Sequence, residues 1–461
     1  MEPKPEAYQL LHDGSLALAQ VEHNGIRIDT DYLEKAIVKG NKAIKTYTKE
    51  LRDDPLYAKW RKKFGAKVNL DSGQQLQTIL RGEGIHLEET EAGNFKTDAA
   101  TLAGVDLPFV DIYSKRKKAQ KVVNTFLMGI RKETAQDGRL HPFFNLHTVS
   151  TYRSSSDSIN FQNLPVRDPN MGKIVRQCFT ATDEDHVLIE CDYSGIEVCI
   201  AAAYHKDPNM ISYIKDPTKD MHRDMAAQCF MVEPEDVSKH MRYCGKNMFV
   251  FPQFYGDVYA SNARAMWDVV VNQGLETAHG CPVKEVLTDN GINSLGPCDL
   301  QQDPIAGTFE YHIKEVQKDF WGRRFAKYGR WKEQWWKKYR DKNGGFETKT
   351  GFVLRGQMRR NEVINYPVQG SAFHCLLWSL IRIQKKLNKQ KMRTKIVGQI
   401  HDSIVADVHV NEVDEYLQIC KQVMTIDLPN TWTWINVPLS IEAEQTPPGG
   451  SWHEKEVVPI P

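Results

Sequence analysis

Two aspartates at the ends of apolar strands, far apart in the chain, most constrain the fold. Residues 186–191 (HVLIEC) form a short apolar run that ends at Asp192 and predicts a buried strand. Residues 394–410 (TKIVGQIHDSIVADVHV) alternate in polarity and predict a hairpin with His401 and Asp402 at its turn. Because the stretch between them has a mostly helical pattern, we expect a sheet platform joined to a large helical lobe.

The region before the first strand also predicts helices. Residues 7–23 carry apolar side chains at helical spacing, residues 30–51 predict an amphipathic helix, and residues 68–82 predict a loop followed by a short helix. A mostly helical pattern continues to about residue 135. The candidate N-caps are Thr30 or Asp31 for the second helix and Asp71 or Ser72 for the third.

Contact with a polyanion would need local basic clusters, since the net charge of +1 gives no evidence of such a partner. Residues 313–342 interleave basic and aromatic side chains at helical spacing. An amphipathic helix with its aromatic face in the core is favoured there over nucleic-acid contact. Residues 114–121 (SKRKKAQK) are a tighter cluster, for which phosphate contact and a solvated face are equally supported.

Several classes of protein are disfavoured by composition. The nine cysteines include no C-x-x-C pair, which disfavours a zinc site or a disulfide framework and favours a reducing, cytoplasmic setting. The N-terminal sequence lacks a signal-peptide pattern, and no apolar run of about 18 residues predicts a membrane span. The length of 461 residues predicts several packed subdomains.

The two strand-end aspartates are candidates for metal binding. Asp192 and Asp402 would repel each other if brought together, and a divalent cation such as Mg²⁺ would relieve that repulsion. The alternative is that each aspartate is only a cap or turn residue. Arg242 and Lys246, four residues apart, would share one helix face and could bind a polyphosphate, or they belong to an exposed basic turn. A metal phosphohydrolase using His401 lacks supporting spacing for its other ligands.

Five short segments, in this order, resemble the polymerase region of family A (DNA polymerase I-like) enzymes, and most closely those of bacteriophages. They are TYRSSSDSINFQNLP (151–165), DYSGIEV (192–198, motif A), KDMHRDMAAQCF (219–230), RYCGKNMFVFPQFYG (242–256, motif B) and QIHDSIV (399–405, motif C).

For the metal site, the resemblance implies that Asp192, Asp402 and the Tyr193 carbonyl bind two Mg²⁺ ions. Glu197 would be the steric gate that excludes a ribose 2′-hydroxyl. The chain departs from the family pattern at Gly195, where Gln is usual, and at Ser403, where Glu is usual. The first departure removes a polar partner near the primer terminus.

For the nucleotide site, the resemblance implies phosphate contacts from His222, Arg242 and Lys246, and a base or sugar contact from Tyr255. Lys246 is the catalytic candidate that would protonate or neutralise pyrophosphate. Motif B contains one extra residue, so either Val250 or Phe251 takes the sugar-facing position, and Phe251 is favoured as the aromatic one. Pro252 predicts a bulge or kink at 250–252.

For DNA, the resemblance implies a set of contacts to the primer–template minor groove, the primer end and the duplex phosphates. The implied residues are Arg153, Asn160, Gln162, Asn163, Asn365, Gln369, His401, Lys115 and Lys118. The segments VNLDSGQQLQTIL (68–80) and NFKTDAATL (94–102) resemble the thumb.

The fold class that follows is α+β, a right-hand polymerase with an antiparallel palm sheet and helical fingers and thumb. The expected divisions are the start of the palm at 1–30, the thumb at 31–145, the palm with motif A at 146–205, the fingers at 206–370 and the palm with motif C at 371–461.

The expected activity is template-directed addition of dNTPs to a primer in phage-type DNA replication. We expect a monomer that binds primer–template DNA, with replication accessory proteins as possible partners. A single-subunit RNA polymerase, a non-catalytic nucleic-acid-binding relative and specialised copying are the alternatives. The residues ahead of the expected thumb are too few for a proofreading exonuclease, so we expect that proofreading is lacking, or that an exonuclease is on another chain or was cut away.

Overall fold

A five-stranded antiparallel sheet forms the platform of the protein. The computed structural model describes residues 2–87, 96–98, 101–102, 104–165, 168–342 and 344–461. The strands of the platform follow the order β12-β11-β6-β10-β9. They are β6 (His186–Tyr193), β9 (Lys395–Ile400), β10 (Ser403–His409), β11 (Ile441–Gln445) and β12 (Glu456–Val458). The strand and the hairpin predicted from the sequence are both confirmed, and they lie side by side.

Smaller sheets flank the platform. A three-stranded antiparallel sheet has the order β2-β1-β5, and two hairpins pair β3 with β4 and β7 with β8. Their bounds are β1 (Ile26–Ile28), β2 (Arg139–Leu140), β3 (Phe143–Asn145), β4 (Ser155–Asp157), β5 (Phe179–Thr180), β7 (Gly345–Glu347) and β8 (Val353–Arg355).

Helices make up most of the rest of the described chain. Their bounds are Pro5–Asn24, Thr30–Asp53, Pro55–Phe64, Gly73–Gly82, Pro108–Gln120, Met128–Glu133, Pro169–Arg176, Ile196–His205, Pro208–Lys215, Met221–Phe230, Lys239–Cys244, Phe251–Tyr255, Tyr259–Asn272, Val283–Asp289, Phe309–Asp319, Ala326–Asp341, Arg360–Gln390, Val413–Lys421 and Leu428–Thr431. Short π-helical turns join some of them, at Lys121–Leu127, Gly245–Val250, Phe320–Arg324 and Gln422–Asp427. Among the described residues, no helix is both long enough and apolar enough to cross a membrane.

Two separate hydrophobic cores account for most of the buried apolar surface. The larger core packs the helix Arg360–Gln390 and the first helix onto the platform sheet. A second core lies within residues 51–113 and contains Trp60 and Tyr113. The α+β class predicted from the sequence is confirmed. Of the thumb-like segment 94–102, residues 94, 95, 99 and 100 lie outside the described residues.

Local polar contacts decide where the early helices begin. The prediction of Thr30 or Asp31 as a cap is wrong, because the Asp29 carboxylate accepts the hydrogen bond from the Tyr32 backbone nitrogen at 2.9 Å. Ser72 is confirmed as the cap of its helix, with its hydroxyl 3.2 Å from the Gln75 nitrogen. A capping side chain is most effective one residue before the first helical turn, which places the helix start at Thr30.

The basic and aromatic segment 313–342 forms two helices rather than one. A π-helical turn at Phe320–Arg324 separates Phe309–Asp319 from Ala326–Asp341. The side chains of Phe320, Phe325 and Tyr328 are buried. Apolar packing therefore dominates this segment, as the favoured interpretation of its sequence expects.

Candidate active site

The platform sheet brings Asp192 and Asp402 together. Asp192 lies in β6 opposite Ser403 of β10, and Asp402 immediately precedes Ser403 in the hairpin turn. The Tyr193 backbone nitrogen donates to the Asp402 carbonyl at 3.3 Å. His401 adopts a positive φ of 49°, which turns the chain sharply enough to set Asp402 beside the end of β6.

The surroundings of both carboxyl groups disfavour their ionised forms. Burial, followed by the nearby Asp402 carboxylate, raises the pKa of Asp192 well above its ordinary value. Burial also raises the pKa of Asp402, and Glu197 adds to that rise. A divalent cation would stabilise both ionised forms, so this donor set fits Mg²⁺. No cluster of three or more His, Cys, Asp and Glu side chains around a metal position occurs among the described residues, so other oxygen ligands would be needed.

The Tyr193 side chain is held by hydrogen bonds in the protein interior, so only the backbone of this residue can contribute to the site. Its hydroxyl lies 2.9 Å from the Ser379 hydroxyl and donates to the Met424 carbonyl at 3.1 Å. The ring is buried beneath the sheet. This arrangement fits the predicted role of the Tyr193 carbonyl as a metal ligand, which stays a prediction.

Glu190 is a site residue that the sequence reasoning missed. It lies two residues before Asp192, and it accepts from the Ser403 hydroxyl at 2.9 Å, the Trp452 indole at 3.0 Å and the Lys455 ammonium at 2.5 Å. Burial alone would raise the pKa of Glu190, but Lys455 holds it below the ordinary value. The sequence pattern that could have identified Glu190 is a glutamate inside the apolar run HVLIEC, because a buried carboxylate needs a partner.

A second cluster joins motif A to motif B. The Tyr255 hydroxyl donates to the Glu197 carboxylate at 2.6 Å, and Arg153 lies 3.6 Å from the other oxygen of that carboxylate. Asn365 donates to the Tyr255 carbonyl at 3.0 Å. Together with Phe251 these residues line or border one cavity beside the platform. The structure thus brings together four residues that the sequence placed in separate segments.

The extra residue of motif B lies in a π-helical turn. Gly245–Val250 is π-helical, directly before the helix Phe251–Tyr255 that contains Pro252. A π-turn holds one more residue than an α-turn, so it accommodates the insertion. The irregularity begins earlier than the predicted 250–252. Val250 is fully buried, whereas Phe251 lines the cavity.

Two of the predicted phosphate-contacting residues, Lys246 and His222, lie beside Phe251. The Lys246 ammonium lies 5.4 Å from the Phe251 ring centroid, and the His222 ring lies 5.6 Å from it. Burial, then Lys246 and Arg242, lowers the pKa of His222 to about 4. Arg242 donates to Asp220 at 2.5 Å. An anionic ligand would therefore compete with Asp220 for Arg242.

The segment 151–165 is tied directly to motif C. Gln399 of β9 accepts from the Ser154 hydroxyl at 2.6 Å and from the Gln162 amide at 2.8 Å, and it donates to the His401 carbonyl at 2.8 Å. Asn160, Asn163 and His401 are exposed next to this network. Sequence reasoning missed Gln399, although it stands inside an otherwise apolar strand.

The two predicted phosphate-contacting lysines lie away from this cluster, on the helix Pro108–Gln120. Lys115 is exposed, whereas Lys118 forms an ion pair with Asp168 at 3.1 Å. Arg116, in the same basic run, is buried and bonded to Asp71 at 2.9 Å. Only part of the basic cluster is therefore available to a ligand.

Comparison with known proteins gives one consistent result. The profile described as DNA polymerase family A matches residues 41–268 and 346–454. DNA polymerase I of Lactococcus lactis subsp. lactis is 28% identical over 460 residues, covering 97% of this chain and 46% of the relative. DNA polymerase of Bacillus phage SP01 is 26% identical over 469 residues, covering 89% of this chain and 46% of the relative. The chain spans less than half the length of these curated relatives.

The structural comparison agrees in fold. The POL domain of Pol1 from M. smegmatis, in complex with DNA primer-template and dNTP, superposes with a TM-score of 0.74 at 22% identity. The match covers 96% of this chain and 70% of that one. At this level of identity the superposition shows a shared fold.

Proposed function

The chain belongs to DNA polymerase family A, and from this premise we propose that it is a template-directed DNA polymerase that adds dNTPs to the 3′-hydroxyl of a DNA primer. The observation that carries the proposal is the pairing of Asp192 and Asp402 across β6 and β10, beside the Glu197–Tyr255 cavity. In the reaction, the primer 3′-oxygen forms a bond to the α-phosphorus of the dNTP, and the bond to pyrophosphate breaks.

In this proposal, Asp192 and Asp402, with the Tyr193 carbonyl, hold two Mg²⁺ ions. When bound, these ions lower the pKa of the primer hydroxyl and offset the charge that develops on the leaving group. The repulsion between the two carboxylates supports the assignment, since it favours a bound cation over an empty site.

Other residues of the chain bind and orient the reactants. Arg242, His222 and Lys246 face the proposed triphosphate position, and Lys246 neutralises or protonates pyrophosphate. Phe251 and Tyr255 contact the nucleoside. Glu197 occupies the space that a ribose 2′-hydroxyl would need, which selects for dNTPs.

Contact with the primer–template is assigned to residues that can test base-pair geometry without reading sequence, because minor-groove acceptors are nearly the same for every base pair. In this proposal, these residues are Arg153, Asn160, Gln162, Asn163, Asn365, Gln369 and His401. Lys115 and Lys118 are assigned to the duplex phosphates.

The subdomain divisions predicted from the sequence form part of the proposal. The separate core within residues 51–113 supports a thumb in the range 31–145. The boundary at 370–371 falls inside the helix Arg360–Gln390, so fingers and palm share that helix.

The phage relative supports a role in phage-type replication. The free cysteines support a reducing, cytoplasmic setting. We also propose that the chain acts as a monomer.

The test is primer extension with Mg²⁺ on a DNA primer–template, comparing dNTPs with rNTPs. We expect extension with dNTPs and a loss of about 10³-fold or more in Asp192→Asn and Asp402→Asn, equivalent to about 4 kcal/mol in the barrier. Asp414→Asn, at an exposed position, is the matched control and should keep its rate.

Two results would contradict the proposal. Equal use of rNTPs by the wild-type chain would indicate an RNA polymerase. Tight binding of the duplex without incorporation of either nucleotide would indicate a nucleic-acid-binding relative that has lost catalysis.

A further inference from the structure

Residues 269–345 fall between the two stretches that match the family profile. Within this intervening segment, the helices Phe309–Asp319 and Ala326–Asp341, and the π-helical turn that joins them, pack against the end of motif B. The contact centres on Gln253, the residue after Pro252. The segment therefore touches the nucleotide cavity without belonging to the matched region.

Gln253 is held on every side by hydrogen bonds. It is 1% exposed. Its amide nitrogen donates to the Asn262 side chain at 2.7 Å and to the Gln317 side chain at 2.9 Å. Its amide oxygen accepts from the Trp321 indole at 2.7 Å, and its backbone carbonyl accepts from the Lys332 ammonium at 3.4 Å. We name Gln253, Gln317, Trp321 and Lys332 the Gln253 latch.

The basic member of the latch is itself enclosed. Lys332 is 7% exposed, and its Nζ lies 3.7 Å from the Trp321 ring centroid. Phe254 packs its ring against Trp321 at 6.3 Å and against Tyr328 at 5.7 Å. The buried Gln253 side-chain amide has both its nitrogen and its oxygen bonded, so a shift of this side chain would leave one of these groups unpaired.

The latch holds the last turn of a helix that runs on from Lys239–Cys244 through the π-helical turn Gly245–Val250. Pro252, in this last turn, has no backbone N–H to donate, so the helix loses one of its own hydrogen bonds there. Tyr255 at its end donates to Glu197 at 2.6 Å. Contacts on Gln253 and Phe254, together with the Asn365 hydrogen bond to the Tyr255 carbonyl, therefore help to set where the Tyr255 hydroxyl lies.

We propose that the Gln253 latch positions Tyr255 against Glu197 and so sets how strictly the site excludes a ribose 2′-hydroxyl. This inference rests on the proposed polymerase function and adds Trp321 and Lys332 as positioning residues for nucleotide selection. When the latch is intact, the Glu197 carboxylate is held in one orientation by Tyr255. When it is weakened, Glu197 gains freedom and a ribonucleotide fits more easily.

The test is single-nucleotide incorporation by Trp321→Phe, which removes the indole donor and keeps an aromatic ring. The expected result is a rise of roughly three- to tenfold in the kcat/KM ratio of rNTP to dNTP, carried mainly by rNTP. Trp336→Phe is the matched control, because Trp336 lies in the same segment and stacks on Tyr339. Its ratio should not change. Lys332→Met is a second variant with the same expected direction.

A double-mutant cycle separates positioning from general damage. Glu197→Ala should raise the ratio by itself, and adding Trp321→Phe to it should have no further effect, because both act through one carboxylate. The inference is overturned if kcat/KM falls equally for both nucleotides in Trp321→Phe, or if the two effects are additive. Normal wild-type extension with an unchanged ratio in both latch variants overturns this inference alone. Absence of wild-type extension overturns the proposed function as well.

Discussion

His222 illustrates how much the surroundings of one side chain determine its chemistry. It is half-buried between the cationic side chains of motif B, and its Nδ1 has no hydrogen-bond partner within the part of the chain that the structure describes. Burial, then Lys246 and Arg242, holds its pKa at about 4. The ring is therefore neutral near pH 7, and one of its nitrogens carries an N–H that can donate to an anionic oxygen.

This shift predicts a pH-dependent stability. The pKa of His222 is about 4 in the folded chain, against an ordinary value of 6.5 for a histidine in the unfolded chain, so the unfolded chain binds more protons between these values. Stability is lost as the pH falls from about 6.5 to about 4, by up to about 3 kcal/mol for this residue. His222→Asn should lose less between about pH 7 and about pH 4.5 in urea unfolding. His279→Asn, at an exposed histidine, is the control. Equal losses in wild type and His222→Asn would contradict the assignment.

The sequence could identify residues whose importance follows from the local pattern around them. Asp192 and Asp402 stand out because a charge at the end of an apolar strand is costly without a partner. Gln253, Gln399 and Glu190 were missed. Their contacts are mostly with residues distant in sequence, so the local pattern cannot identify the partners, although Glu190 and Gln399 stand out as polar residues inside apolar strands.

At the scale of elements, the π-helical turn Gly245–Val250 depends on close packing against a neighbouring helix. A Cβ added at Gly245 would lie 2.7 Å from the His222 carbonyl oxygen and 2.9 Å from the Ala226 Cβ. The first of these atoms is backbone and cannot move aside easily. The turn that accommodates the motif B insertion therefore needs glycine where it begins.

Gly245→Ala is predicted to cost about 1–3 kcal/mol of stability and to weaken dNTP binding, because Lys246 would shift with the turn. The measurements are thermal unfolding and the KM for a dNTP. Gly322→Ala is the control in a second π-helical turn, where an added Cβ meets no atom within 4 Å. It should be neutral or stabilise by up to about 1 kcal/mol. Equal effects of the two substitutions would show that helix propensity, and not packing, is responsible.

Elements with strong periodicity were predictable, and their interruptions were not. The alternation around His401 predicts β9, the turn and β10 as observed. The break in 313–342 was not predicted, because hydrophobic spacing continues through the π-helical turn Phe320–Arg324. The proline signal at 252 predicted an irregularity in motif B, but the packing of Gly245 places it earlier in the chain.

At the scale of the whole molecule, a net charge of +1 means that the proposed binding of DNA would have to depend on local patches. The helix Pro108–Gln120 illustrates the difference between a basic sequence and an available charge. Lys115 is exposed, whereas Lys118 is paired with Asp168 and Arg116 is buried on Asp71. The overall fold class followed from the sequence, but the division of these charges required the structure.

Lys115→Ala is predicted to reduce the salt dependence of duplex binding by about 0.9 in the slope of log K against log salt, as for one lost phosphate contact. Lys118→Ala should change the slope less, because Asp168 already neutralises part of that charge. Fluorescence anisotropy of a labelled primer–template across a salt series measures both. Lys389→Ala, near the far end of the helix Arg360–Gln390, is the control. A slope unchanged by Lys115→Ala would remove this helix from the DNA interface.

The position of Asp192 in the platform sheet determines when, during synthesis of the chain, the candidate site can form. Its strand β6 pairs on one side with β10 and on the other with β11, and Glu190 is held by Lys455. Both partner strands are synthesised long after β6. A chain still emerging from the ribosome therefore holds Asp192 on a strand with no neighbours, so the candidate site cannot form until residues 441–455 have left the ribosome.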